Sequence, residues 1–150
     1  MSTAHSNSPT AQSSDGNRGS ESADDRHWAA DQPPPIDVDM LLFHCMGDDE
    51  FALSLLAELE VSGQQHLEKI EVLTAAQRAT DTAAVAHALK GAAAIIGAEP
   101  LRGLAAQLQS MGESQELQAV ATLVDKLRIE MARCVTHIGI IREVLRPAAR

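Results

Sequence analysis

The chain has 150 residues, a formal net charge of −9 and almost no aromatic side chains. Nucleic acids bind clustered lysine and arginine, so an excess of 21 acids over 12 bases argues against nucleic acid as the main partner. The core must be built from Leu, Ile, Val, Ala and Met, which favours packed helices over sheets. Neither a secretion signal nor an apolar run long enough for a membrane helix is present, so we expect a cytoplasmic protein without a membrane partner.

Residues 1–35 differ in composition from the rest of the chain. They are rich in Ser, Asp, Ala, Gly and Pro and hold little to bury apart from Trp28. We predict a disordered acidic tail in which Trp28 is an incidental aromatic, with docking as the alternative. Residues 36–146 are then long enough to form one domain with its own core.

Apolar residues recur at helical spacing in five stretches of this domain. Asp37 is a candidate N-cap for the first stretch, Gly97 a left-handed stop after the third, and Pro100 a first-turn residue of the fourth. We predict helices at about 37–46, 48–73, 78–96, 100–112 and 117–145. Short connections imply antiparallel neighbours, so the predicted fold is all-α: an antiparallel up-down-up-down four-helix bundle with an additional short N-terminal helix.

The third predicted helix contains the sequence Ala-His-Ala-Leu-Lys-Gly at residues 86–91. At about 100° per residue, His87, Lys90 and Gly91 share one face, and Leu89 lies on the opposite, apolar face. An exposed imidazole beside a cation and a bare backbone suits a nucleophile that takes a phosphoryl group from a large partner. In this interpretation Lys90 neutralises the phosphoryl oxygens and Gly91 leaves room for the partner. The edges of this face are formed by small and apolar residues: Ala83, Ala84, Ala94 and Ile95.

Each residue of this group also has a plain interpretation. A single histidine on a helix is more often an ordinary surface residue, and Lys90 by itself is a solvated cation. Gly91 costs a helix about 1 kcal/mol relative to alanine, and an alanine-rich helix could simply tolerate it. It is the presence of all three residues on one helix face that favours a phosphoryl site.

The sequence resembles the histidine-containing phosphotransfer (HPt) domain family from about residue 36 to 145. The resemblance rests on residues 47–51 (GDDEF), 86–93 (AHALKGAA) and the Gly-Ala pair at 97–98. It implies that His87 reversibly carries a phosphoryl group between aspartates of receiver domains. It also implies that Gln109, which lies 22 residues after His87, orients the imidazole, although a surface glutamine needs no function. Two positions depart from the family pattern: Ala92 stands where Ser is common, and Leu59 replaces a frequent aromatic.

The resemblance further implies the partners and the cofactors. The partners would be receiver domains of response regulators, hybrid histidine kinases, or both. The chain would need no cofactor of its own, because Mg²⁺ and the acidic pocket belong to the receiver domain. No nucleotide-binding Gly-rich loop is present, so we expect a phosphocarrier and not an enzyme that uses ATP. The chain begins with Met1 and the tail and ends soon after the last predicted helix, so we expect a free-standing protein. A fragment of a hybrid kinase is the alternative.

Two other functions compete with phosphotransfer. A non-phosphorylated adaptor could keep the same fold and dock receiver or kinase domains, although the intact His-Lys-Gly set argues against it. A metal site could use histidines or thiols, but no His-x-x-x-His or Glu-x-x-His pair occurs. We therefore expect no metal site. We expect Cys45 and Cys134 to be reduced. His44, His66 and His137 should be ordinary surface or partly buried histidines.

Overall fold

The computed structural model describes residues 33–146. Residues 1–32 of the predicted tail, Trp28 among them, lie outside the described residues, so the predictions made for the tail and for Trp28 stay predictions. Residues 33–146 form helices and no strands, and the five helices are α1 (Val38–His44), α2 (Asp49–Ala75), α3 (Ala79–Ile96), α4 (Glu99–Glu113) and α5 (Ala121–Leu145).

Side-chain caps begin the first two helices. Asp37 Oδ1 accepts a hydrogen bond from the Met40 amide at 3.1 Å, and Asp48 Oδ1 accepts one from the Phe51 amide at 3.0 Å. Each carboxylate satisfies an amide that has no partner within its helix, and its charge is favourable at the helix N-terminus. The N-cap predicted at Asp37 is confirmed, and Asp48 is a second one.

The end of α3 is joined closely to the start of α1. Gly97 has φ +80°, the left-handed conformation that glycine adopts without strain, and a Cβ there would lie 2.9 Å from the Asp37 carbonyl oxygen. The Asp37 amide donates to the Gly97 carbonyl at 2.9 Å, and His44 Nδ1 lies 2.7 Å from the Ile95 carbonyl oxygen. These contacts hold α1 against the C-terminal end of α3.

The four long helices form the predicted antiparallel bundle. Two ion pairs show that α2 and α5 run in opposite directions, because Glu71 pairs with Arg128 at 3.1 Å and Glu60 pairs with Arg142 at 3.0 Å. The turn at Gly97 reverses the chain between α3 and α4, and α3 also packs on α2. The all-α class and the additional short helix are confirmed.

The buried core is aliphatic. Among the described residues it consists of Leu, Ile, Val, Ala, Met and Cys side chains, and Phe43 and Phe51 are exposed by 77% and 49%. Leu56, Leu89, Leu108 and Leu127, one from each long helix, are fully buried. Every long helix therefore turns one apolar face inward, which leaves its opposite face for solvent or for a partner.

The start of the last helix was predicted wrongly. Leu117 and Val120 are buried as expected, but they precede α5, which begins at Ala121. The chain turns first at Gln115, which has φ +59°, and the Glu116 amide bonds the Met111 carbonyl at 2.9 Å. The three-residue spacing of two buried residues in a connecting segment was thus mistaken for a helical turn.

The other helix ends lie within two residues of the prediction, and the predicted ends at Ile96 and Leu145 are confirmed. α3 begins at Ala79 with Arg78 as its N-cap, and Pro100 is the second residue of α4 instead of the first. Pro100 is compatible with either position, because the amides of the first helical turn have no partner within the helix.

Candidate functional site

His87 lies in the middle of α3 on its exposed face. Its neighbours along the helix, Ala86 and Leu89, are fully buried, as is Ala93 on the same inner face. Three buried anchors on this short stretch fix the rotation of α3 about its axis. The imidazole consequently faces outward, as the periodicity of the sequence predicted.

The packing of α4 on α3 determines what lies beside the imidazole. A Cβ on Gly112 would lie 2.7 Å from the Ala79 carbonyl oxygen and 2.9 Å from Ala83 Cβ, so the two backbones approach closely here. Because the helices are antiparallel, the residue one turn before Gly112 faces the residue one turn after Ala83. Those two residues are Gln109 and His87.

Gln109 is within hydrogen-bonding distance of the histidine. Its Oε1 lies 3.4 Å from His87 Nδ1, and its Nε2 donates to Glu113 Oε1 at 2.9 Å. An amide oxygen can only accept, so this contact requires the proton on Nδ1. The other ring nitrogen, Nε2, has no hydrogen-bond partner among residues 33–146, so in the neutral ring it is the nitrogen with the lone pair.

Lys90 and Gly91 follow His87 on the same face of α3. Lys90 is half-buried, and its ammonium makes no ion pair or hydrogen bond with another described residue. Gly91 is exposed, and a Cβ placed on it would meet no heavy atom within 4 Å. The structure therefore brings His87, Lys90, Gly91 and Gln109 to one open surface.

The predicted edge of this surface needs one correction. Ala84 is exposed, Ile95 is 53% exposed and Ala94 is half-buried, but Ala83 is only 8% exposed. Ala83 faces α4, where it packs against Gly112. Periodicity within α3 could not reveal this contact, because the position of the neighbouring helix decides it.

The cysteines offer no competing site. Cys45 and Cys134 are buried and free. Burial raises the pKa of Cys45 above its usual value and raises the pKa of Cys134 to about 12, so both thiols stay protonated near neutral pH and are poor nucleophiles.

His66 and His137 lie on helices other than the two that form this surface. Burial, followed by a nearby cation, lowers the pKa of His66 on α2 and of His137 on α5, and both rings are therefore neutral near pH 7. Within residues 33–146, no three His, Cys, Asp or Glu side chains are grouped closely enough to hold a metal ion. None of the described helices combines the length and the low polarity that a bilayer span requires.

Sequence reasoning missed Glu113. It is four residues after Gln109, a spacing that places two side chains on one face of a helix. That spacing was a usable signal once Gln109 had been singled out. The residue was overlooked because it lies at the predicted end of the helix.

These features define a class of protein: an all-α four-helix bundle with a histidine on an open helix face beside a glutamine of the adjacent helix. The family model for the Hpt domain matches residues 54–137, which is more than half of the chain and includes all four residues of this surface. The chain belongs to the Hpt domain family, and the resemblance noted in the sequence is confirmed. Hpt domains are phosphocarrier modules of two-component signalling that lack kinase activity. Comparisons with curated proteins and with solved structures gave no match.

Proposed function

We propose that this protein is a phosphorelay intermediate that carries a phosphoryl group on His87 Nε2 between receiver-domain aspartates. The observation that supports this function best is the geometry of the imidazole. His87 is exposed, its Nδ1 lies 3.4 Å from an amide oxygen, and its Nε2 is open to a partner. A neutral imidazole of this kind is a nucleophile at cellular pH without a general base.

The proposed transfer is a substitution at phosphorus. The lone pair of His87 Nε2 attacks the phosphorus of an aspartyl phosphate, a new N–P bond forms, and the P–O bond to the aspartate breaks. The aspartate leaves as a carboxylate. Nδ1 keeps its proton, so the phosphorylated ring carries a positive charge and the total charge is unchanged. The Gln109 oxygen then accepts from a charged donor, which strengthens the hydrogen bond as the reaction proceeds. The reverse steps return the group to another receiver.

Lys90 and Gly91 have separate proposed roles. The ammonium of Lys90 is one turn from His87 and has no described ionic partner, so it is available for the transferring phosphoryl oxygens. Gly91 provides a stretch of α3 without a side chain, over which a receiver domain can approach the imidazole.

The partner supplies what this chain does not carry. We propose receiver domains of response regulators or hybrid histidine kinases as partners, with Mg²⁺ bound in the receiver and no cofactor on this chain. The chain's net charge of −9 disfavours nucleic acid. The proposed site of action is the cytoplasm, and no membrane partner is required. Ala84 and Ile95 would lie at the edge of the docking surface.

The decisive experiment measures phosphoryl transfer from a phosphorylated receiver to the wild type and to His87→Gln. We expect acid-labile label on the wild type and on a His137→Gln control, and none on His87→Gln, whose helical circular dichroism should be unchanged. Labelled ATP alone should leave the wild type unlabelled. If receivers bind the wild type but none transfers label to it, the protein is a non-phosphorylated adaptor.

A further inference from the structure

Glu113 occupies an unfavourable position for an acid. It is the last residue of α4, where the free carbonyl groups and the helix dipole disfavour negative charge. No Lys or Arg of residues 33–146 forms an ion pair with it. Its described partner is the side-chain amide of Gln109, at 2.9 Å. Glu113 therefore does not stabilise α4, and its hydrogen bond with Gln109 is the interaction that calls for an explanation.

That contact determines the orientation of the Gln109 amide. A carboxylate can only accept hydrogen bonds, so the NH₂ end of the amide must face Glu113. The oxygen end then faces His87 Nδ1, at 3.4 Å. Without Glu113, the amide could rotate by half a turn and present its NH₂ group to the ring. Nδ1 would then have to accept, and the ring proton would move to Nε2.

We propose that Glu113 is a positioning residue that, through Gln109, keeps the proton of His87 on Nδ1 and thereby leaves Nε2 as the nucleophile. An unrestrained neutral imidazole exchanges between both tautomers, and only one of them has a lone pair on the outward nitrogen. The negative charge of Glu113 also favours the positive ring that forms on phosphorylation. The catalytic consequence rests on the proposed function, whereas the control of the tautomer is a property of the free protein.

The test is to reverse the polarity of the residue at position 113. In Glu113→Lys the ammonium can only donate, so it should bind Gln109 Oε1 and turn the NH₂ group towards His87. Glu113→Gln can accept or donate, so it should no longer fix the Gln109 amide and should leave both orientations populated. Glu116→Lys is the matched control, because it makes the same change of charge three residues further on, in the exposed turn after α4.

The readout is the ¹⁵N chemical shift of each His87 ring nitrogen at a pH where the ring is neutral. We expect mainly Nδ1–H in the wild type and in Glu116→Lys, mainly Nε2–H in Glu113→Lys, and a mixture of both tautomers in Glu113→Gln. Mainly Nε2–H in the wild type would overturn the proposal. So would an unchanged tautomer in Glu113→Lys, or an equal change in Glu116→Lys, because the effect would then not act through the contact.

Transfer kinetics separate this inference from the proposed function. Glu113→Lys should lower the maximal rate of transfer from a phosphorylated receiver by about tenfold, as expected for the loss of one hydrogen bond to a group that becomes charged. The receiver concentration at half-maximal rate should stay the same. A change in that concentration alone would assign Glu113 to docking and overturn the positioning role. If the tautomer changes as expected but the wild type never accepts phosphate, the proposed function fails and the control of the tautomer stands.

Discussion

A Cβ on Gly112 would lie 2.9 Å from the Cβ of Ala83, so position 112 of α4 has no room for a side chain against α3. This contact lies one helical turn from both Gln109 and His87. The distance between the two backbones here therefore sets the distance between the amide and the imidazole. The packing of Gly112 on Ala83 therefore also determines the geometry of the candidate site.

Gly112→Ala should consequently destabilise the protein. The new methyl group would meet the Ala79 carbonyl oxygen at 2.7 Å, and backbone cannot move aside as a flexible side chain can. We expect a loss of about 1–3 kcal/mol in the free energy of unfolding, as for other overpacked sites. Urea denaturation followed by circular dichroism measures it. The hydrogen bond between Gln109 and His87 should also lengthen, which would lower the Nδ1–H population of the ring.

Gly103→Ala is the matched control on the same helix. A Cβ there meets no heavy atom within 4 Å, so only the helix propensity changes. We expect a gain of about 0.5–1 kcal/mol. Equal effects of the two substitutions would show that α3 and α4 do not pack as closely as described.

Substitutions at Gly91 should raise the stability of the protein and slow phosphoryl transfer. Nothing within the described protein occupies the space of its missing side chain, so Gly91→Ala should stabilise α3 by about 0.5–1 kcal/mol. A receiver domain approaching His87 would meet the added side chain, and Gly91→Leu should slow phosphoryl transfer more than Gly91→Ala. Unfolding and transfer measured on the same samples test both statements.

Gly139 on α5 provides the comparison for Gly91. It is also exposed and has open space around its Cβ position. Gly139→Leu should raise stability in the same way and leave transfer unchanged. If Gly91→Leu transfers as fast as Gly139→Leu, access for the partner is not the reason for the glycine.

Lys90→Gln should lower the rate of phosphoryl transfer by about tenfold to about a hundredfold. This range corresponds to the loss of one hydrogen bond to a charged group, worth about 1.5–3 kcal/mol in the transition state. Stability should change little, because Lys90 forms no ion pair within residues 33–146. Rapid-quench measurements with a phosphorylated receiver give the rate. Lys126→Gln, an equal change of charge on the exposed face of α5, should have no such effect.

The sequence predicts this fold well because its helix signals are local. Asp37, Asp48 and Gly97 cap helices through contacts with residues close in the chain, and the apolar stripes follow a single period. Leu117 was misassigned because burial in a connecting segment has no period of its own. Packing against neighbouring helices, not local spacing, decides whether such a residue belongs to a helix.

The candidate site was predictable only in part. His87, Lys90 and Gly91 lie on one helix, so their common face follows from spacing alone. Gln109 could be connected with His87 only through the family resemblance, since their contact depends on how α4 packs against α3. Glu113 and the buried position of Ala83 depend on the same packing. No pattern within one helix reveals a contact between two.

Glu130 should make the stability of the protein depend on pH. Its side chain is 1% exposed, one oxygen accepts from Arg133 at 2.6 Å, and the other has no partner among the described residues. Burial raises the pKa of Glu130, and the nearby Arg133 only partly opposes this. Between the ordinary glutamate value and this raised pKa, the folded state holds more protons than the unfolded state. The free energy of unfolding should therefore fall as pH rises through this interval, by up to about 1.4 kcal/mol per pH unit.

Urea denaturation at several pH values from about 4 to about 8 measures this slope. Glu130→Gln should remove the contribution of Glu130, because the amide does not titrate, and leave the opposite slope that the lowered pKa values of His66 and His137 produce. Glu143→Gln removes an exposed carboxyl from the same helix and should leave the slope in place. Arg133→Met should extend the slope to higher pH, because it removes the cation that lowers the pKa of Glu130. A slope that is the same in Glu130→Gln and in the wild type would show that another group is responsible.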